Sequence, residues 1–296
     1  MSSRFRVDDL GVPMFTRLLL ACLLLVFSDP PAQAAEQRLP AVFAADTDHV
    51  FLKVSVNGAP EAWMLLDTGT VPSTIDRAYA QSLGLKLGKE SDTGKGAGNG
   101  PIVIAKTKVR SLQVGQTVRH DVAFESMTFS FPMPDGRKAV GVLGYSFLAG
   151  RVLIVDYPRR EVLFTDAGLT PVQSLPFKML YNIPTVKAAL GGRPVDVLID
   201  TGGYYDVLLT PPTATRLGLG KTMAEGTAAT GFGYGGAQDY KLGKGPDLSV
   251  GGLIKPAPAI AFIPLPIRID GALGTVFLKD YRVTLDYPAR RVVFER

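Results

Sequence analysis

The sequence repeats itself once. Gly141-Val142-Leu143-Gly144-Tyr145-Ser146-Phe147-Leu148 is answered by Gly271-Ala272-Leu273-Gly274-Thr275-Val276-Phe277-Leu278, and each copy runs on to an Asp-Tyr-Pro, at 156–158 and 286–288. Aligned without gaps, Gly141 to Phe164 and Gly271 to Phe294 share 11 identities in 24 positions. Upstream, Met64-Leu65-Leu66-Asp67-Thr68-Gly69 pairs with Val197-Leu198-Ile199-Asp200-Thr201-Gly202, and Ser82-Leu83-Gly84-Leu85 with Arg216-Leu217-Gly218-Leu219. Two copies make a duplicated domain, not a repeat array. The halves span residues 36–168 and 177–296, with Leu169 to Pro176 as a linker.

Each half is a short-strand pattern. Apolar runs are brief and rich in Val, Ile and Leu, and 32 Gly and 22 Pro punctuate them, which favours strands and turns over long helices. The expectation is an all-β protein. Each half reads as an opening hairpin with a strand near Val50, an apolar strand ending at Asp-Thr-Gly, and a short helix near Ala78 to Leu83 or Thr213 to Leu217. A Gly-rich hairpin, further strands and a last hairpin around Asp-Tyr-Pro follow.

The chemistry gathers at the ends of the two equivalent apolar strands. A carboxylate after Leu65-Leu66 or Leu198-Ile199 is costly unless its charge is hydrogen-bonded or shared. Gly69 and Gly202 let backbone N–H groups approach the carboxylates, and Thr68 and Thr201 can hydrogen-bond across the axis relating the halves. Two carboxylates brought together share a proton, so one can activate water while the other donates to a carbonyl.

These residues carry a family resemblance. The paired Asp-Thr-Gly, the later Val142-Leu143-Gly144 and Ala272-Leu273-Gly274, and the Asp-Tyr-Pro hairpins resemble the pepsin and retropepsin superfamily, in particular bacterial retropepsin-like aspartyl proteases. The resemblance covers nearly the whole chain after the leader. It implies two homologous pepsin-like (acid-protease) lobes related by a pseudo-twofold axis, with Asp67 and Asp200 as a catalytic dyad supported by Thr68, Gly69, Thr70, Thr201 and Gly202. It also implies that the hydrophobic-Gly strands back the catalytic loops, and that a polypeptide is the substrate. Cofactor and metal are both expected to be absent, and dimerisation is not required because one chain holds both aspartates.

Two departures stand out. Thr70 can hydrogen-bond Asp67, whereas Gly203 offers no such group to Asp200, so the two carboxyls should differ in environment and the owner of the shared proton is open. The closing hairpin, or flap, of this superfamily would fall at Gly94 to Gly100 in the first half, without an aromatic residue. In the second half it would fall at Gly231 to Gly236, where Phe232 and Tyr234 become candidate substrate contacts.

The N-terminus reads as an export signal. Arg17 precedes an apolar run from Leu18 to Phe27, and Ala32-Gln33-Ala34 forms a small-residue cleavage site, with Met14 as an alternative start. Residues 1–34 are therefore a signal peptide with an N-terminal extension. The run is about half the roughly 20 residues of a membrane span, so the expected location is periplasmic or secreted, or membrane-anchored if the leader is uncleaved. Cys22, the only cysteine, lies in that leader, which leaves the mature chain no thiol chemistry.

Other signals fail in context. Gly231 to Gly236 fits G-x-G-x-x-G, but Ala237-Gln238-Asp239 follows instead of an apolar helix. His49 and His120, the only histidines, have no second nitrogen or sulfur ligand nearby in sequence. A charge of +5 without a dense basic run argues against nucleic acid. Asp156 and Asp286 read as turn residues. The leading expectation is an aspartic endopeptidase. Its rivals are a catalytically silent peptide-binding or inhibitory protein on the same scaffold, and a homodimer formed through exposed strand edges.

Overall fold

The computed structural model describes residues 36–92, 94, 96, 98, 100–128, 131–133, 135–169 and 174–296. The expected signal segment, Cys22 and Met14 lie outside them. No helix among the described residues is long and apolar enough to cross a membrane. Residues 36–296 belong to one compact unit, built almost wholly of strands with a few short helices.

In the first lobe the strand Val50–Val56 pairs on one side with Ala62–Leu66, through Phe51 opposite Leu65, and on the other with Ile104–Val114, through Ser55 opposite Gln113. The path through Gly141–Leu143, Ser73–Asp76 and Thr117–Met127 returns to Ile104–Val114 and closes a barrel. Burial alternates along Ile104–Val114, with Val109, Leu112 and Val114 inside and Lys108 and Arg110 outside, the pattern of a strand with one face on a core. The second lobe repeats the plan around Arg193–Ile199, Gly271–Leu273 and Val207–Leu209. The two short helices fall at Arg77–Ser82, capped by the Asp76 side chain on the Tyr79 N–H, and at Pro211–Arg216. Each begins a residue or two before its expected position.

A third sheet joins the lobes. Val152–Asp156 lies antiparallel to Arg282–Asp286, with Ile154 opposite Thr284. Those two residues are equivalents in the repeat, 130 positions apart, so the pseudo-twofold axis passes between them. Glu161–Thr165 and Arg291–Glu295 flank the pair. The sheet's edges are Gln37–Leu39, where no strand is expected, and Leu175–Pro176, at the end of the expected linker. One apolar cluster runs through these three sheets, from Val54 and Phe124 through Leu153 and Val283 to Ile199 and Phe277. The Asp-Tyr-Pro bends are turns by their hydrogen bonds: Asp156 Oδ1 accepts from the Arg159 N–H at 3.0 Å and Asp286 Oδ1 from the Ala289 N–H at 2.8 Å.

The repeated Gly-x-Leu-Gly has a steric cause. A Cβ at Gly141 would stand 2.3 Å from the Thr74 carbonyl oxygen, and one at Gly271 2.1 Å from that of Leu208. At Gly144 it would stand 2.1 Å from the Thr70 oxygen, and at Gly274 2.5 Å from the Gly203 oxygen. Each Gly-x-Leu-Gly threads so close behind a neighbouring strand and loop that no side chain fits at its glycines.

Candidate active site

The strands Ala62–Leu66 and Arg193–Ile199 both end at the lobe interface and deliver Asp67 and Asp200 there. Each aspartate's backbone N–H is tied to the strand behind it, Asp67 to the Leu143 carbonyl and Asp200 to the Leu273 carbonyl, both at 3.0 Å. The hydrophobic-Gly strands thus back the two loops, in parallel pairing. The threonines interlock across the axis. The Thr68 N–H donates to Thr201 Oγ1 and the Thr201 N–H to Thr68 Oγ1, each at 3.1 Å. Thr68 Oγ1 donates to the Ile199 carbonyl at 2.6 Å and Thr201 Oγ1 to that of Leu66 at 2.9 Å. Both threonines are buried, so four backbone groups that water cannot reach are satisfied by two side chains.

This lock brings the aspartates together. The carboxyls of Asp67 and Asp200 crowd the same glycine, close enough for the charge of Asp200 to act on Asp67. A Cβ at Gly69 would stand 3.0 Å from Asp200 Oδ1 and 3.1 Å from Asp67 Oδ1, and one at Gly202 2.4 Å from the Asp67 carboxyl carbon. At 202 only glycine leaves room for the pair, and at 69 a side chain would press on both carboxyls. The Gly69 N–H donates to Asp67 Oδ1 at 2.7 Å and the Gly202 N–H to Asp200 Oδ1 at 3.0 Å. Burial first, and the adjacent Asp200 charge second, push the Asp67 carboxyl far above the usual carboxylate range, while bonds from Thr70 and Gly69 pull it back only in part.

The expected asymmetry takes a different form. Thr70 Oγ1 donates to Asp67 Oδ2 at 2.5 Å. The environment of Asp200 is not left without a hydroxyl, because the Tyr205 phenol donates to Asp200 Oδ2. The repeat pairs Thr70 with Gly203, so comparison of the copies looks for that hydroxyl two residues too early. His49 also comes to the site. Its Nε2 lies 3.0 Å from the Gly202 carbonyl, 153 residues away in sequence, and its ring meets Phe131 edge-on at 5.2 Å. Since a carbonyl only accepts, Nε2 carries the proton. Burial lowers the pKa of His49, so the neutral ring is favoured.

The two flap candidates part company. The second-half hairpin is formed by Thr227–Gly233 and Gly236–Lys244. Phe232 on it is 83% exposed. Tyr234 at the tip reaches over to the first lobe, its hydroxyl 2.9 Å from Thr74 Oγ1. It packs on Ile102, Ile104 and Met127. Burial, then the Asp67 charge, push its phenol above the ordinary range. In the first half, Lys95, Ala97 and Asn99 lie outside the described residues. The Gly100 N–H donates to the Gly235 carbonyl at 2.7 Å, and a Cβ at Gly96 would stand 2.4 Å from that of Tyr234. Gly96, Gly98 and Gly100 therefore lie against the tip of the opposite hairpin, where side chains would collide.

No curated protein matches the chain significantly. The sequence profile of the family described as aspartyl protease matches twice, over residues 52–147 and 186–277, once in each lobe and together over more than half of the chain. Each match contains one Asp-Thr-Gly and its supporting Gly-x-Leu-Gly strand. The chain belongs to the aspartyl protease family, as a retropepsin-like member with both lobes in one polypeptide.

Proposed function

We propose that the protein is an exported aspartic endopeptidase that hydrolyses polypeptides by general acid–base activation of water on Asp67 and Asp200. The observation carrying this reading is the approach of the two carboxyls to one glycine at the ends of interlocked, equivalent loops. Like charges so close do not both ionise readily, and one shared proton gives the pair an acid and a base at once. Thr68 and Thr201 fix the separation, Gly69 and Gly202 supply the N–H donors, and Thr70 orients Asp67. Tyr234 covers the cleft from the second lobe and contacts substrate, with exposed Phe232 at the outer edge of the same hairpin. The leader-like sequence of residues 1–34 supports a site of action in the periplasm or the exterior.

The silent-scaffold reading had two motives, the missing hydroxyl at 203 and the first-half flap without an aromatic residue. Tyr205 supplies the first and Tyr234 reaches across for the second. The test is peptide cleavage by the purified chain lacking residues 1–34. Asp67→Asn and Asp200→Asn each abolish turnover while the fold persists; full activity in either variant sinks the dyad.

A further inference from the structure

The two loops solve one problem with different hydroxyls. Thr70 stands three residues after Asp67, and Tyr205 five after Asp200. A Cβ at Gly203 would lie 2.4 Å from Cε1 and Cζ of Tyr205, so the space of a Thr70-like side chain is already filled by the phenol. Gly274 frames the ring from behind, where a Cβ would stand 2.7 Å from Cδ2. The ring also packs on the apolar cluster of Leu198, Leu208 and Ala272. Two glycines and this cluster hold the phenol in one orientation, with its oxygen on Asp200 Oδ2.

The chemistry of the donors differs too. A threonine hydroxyl rotates and serves as donor or acceptor, so it can face a carboxylate or a protonated carboxyl. A phenol is the more acidic donor and the poorer acceptor, which suits it to a carboxylate. We propose that Tyr205 is a positioning residue that holds the negative charge of the pair on Asp200 and leaves the shared proton on Asp67. This rests on the peptidase reading above. Asp200 then takes a proton from water as the water oxygen bonds the scissile carbon. The carbonyl π pair moves to oxygen, which takes the Asp67 proton, giving a gem-diol with the charge transferred to Asp67. When the C–N bond breaks, Asp200 returns its proton to the leaving nitrogen and Asp67 recovers one from the gem-diol. Two features agree with this order. The Asp67 carboxyl is pushed up by burial and by the Asp200 charge. Burial and the same charge raise the Tyr205 phenol well above its ordinary 10.0, so it remains a donor at working pH.

The titratable groups that feel the charge of the pair are Tyr234 from the hairpin, Tyr157 and Tyr287 from the two Asp-Tyr-Pro bends, and His49, which has Asp46 and Asp48 beside it. The experiment is the pH profile of kcat/KM for the mature chain and its variants on one peptide. Tyr205→Phe keeps the ring and should move the acid limb up by about one pH unit, the size of one charge-assisted hydrogen bond, with the alkaline limb unmoved. Thr70→Val should move the alkaline limb instead. Incorporating 3-fluorotyrosine at position 205 strengthens the donor and should move the acid limb down, a second readout if Tyr205→Phe folds poorly. An unmoved acid limb in Tyr205→Phe, a shifted alkaline limb, or an acid limb that vanishes in His49→Gln each overturns the assignment. If the Asn variants of the aspartates are dead while Tyr205→Phe keeps the wild-type profile, only Tyr205 loses its role. If the Asn variants are active, the peptidase reading falls with it.

Discussion

Replacing Thr201 by Val tests the interlock that brings the aspartates together. The change keeps the shape and removes one oxygen, Oγ1, which accepts from the Thr68 N–H and donates to the Leu66 carbonyl. Both partners become orphans in a setting where Thr201 is 0% exposed. Each buried orphan costs about 1–3 kcal/mol, and the added methyl returns about 1 kcal/mol of burial. The net loss is about 3 kcal/mol, or about 5–10 °C in melting temperature for a unit of this size. Because the lost bonds set the spacing of the carboxyls, kcat should fall at least tenfold at temperatures where the variant is fully folded. Thermal melts and initial rates on the same preparation measure both. A variant that melts within about 2 °C of wild type and retains kcat would refute the claim that this pair of threonines holds the site.

Three further outcomes follow from the geometry. Burial and the Asp200 charge push the Asp67 carboxyl from 3.8 up to about 8; between these values the native state holds a proton that the unfolded chain has released, so this group's contribution is most favourable below about pH 4 and is lost as pH rises towards 8. Asp67→Asn should remove that slope and gain on wild type in melts from pH 4 to 8, whereas a gap constant with pH would contradict the shift. Gly144→Ala, whose Cβ would stand 2.1 Å from the Thr70 oxygen, should cost more than about 3 kcal/mol, and a variant with wild-type melting would show that the strand can move away. Tyr234→Phe removes the hydroxyl that bridges to buried Thr74 and should raise KM about threefold to tenfold, with about 1–3 kcal/mol of stability lost at Thr74; an unchanged KM would exclude this hydroxyl from substrate contact.

Duplication made the fold and the aspartates readable. Motifs that recur in the same order in two copies occupy equivalent places, which marks Asp67 and Asp200 by position and not by their tripeptide alone. The same logic explains what stayed hidden. Tyr205 has Pro72 as its counterpart, and no comparison of the halves reveals a hydroxyl present in one copy only. His49 acts on a carbonyl 153 residues away, and Tyr234 crosses from its own lobe to Thr74 in the other. Contacts of that kind exist only once the chain has closed. Gln37–Leu39 and Leu175–Pro176 were missed for a related reason: three- and two-residue strands have too little periodicity to register, and it is their partners, Glu161–Thr165 and Arg291–Glu295, that make them strands.

The pairing of Ile154 with Thr284 carries a consequence for how such a chain can diversify. An antiparallel ribbon centred on equivalent residues is one that a strand can form with a twin of itself, so each half bears a surface suited to a copy of that half. Joining the halves makes the encounter intramolecular and fixes which partner each meets. It also frees them from being alike. A symmetric pair of first halves would present Thr70 on both sides of the cleft, and a pair of second halves would present Tyr205 twice. The single chain alone can set an alcohol against a phenol, and so tell its two aspartates apart.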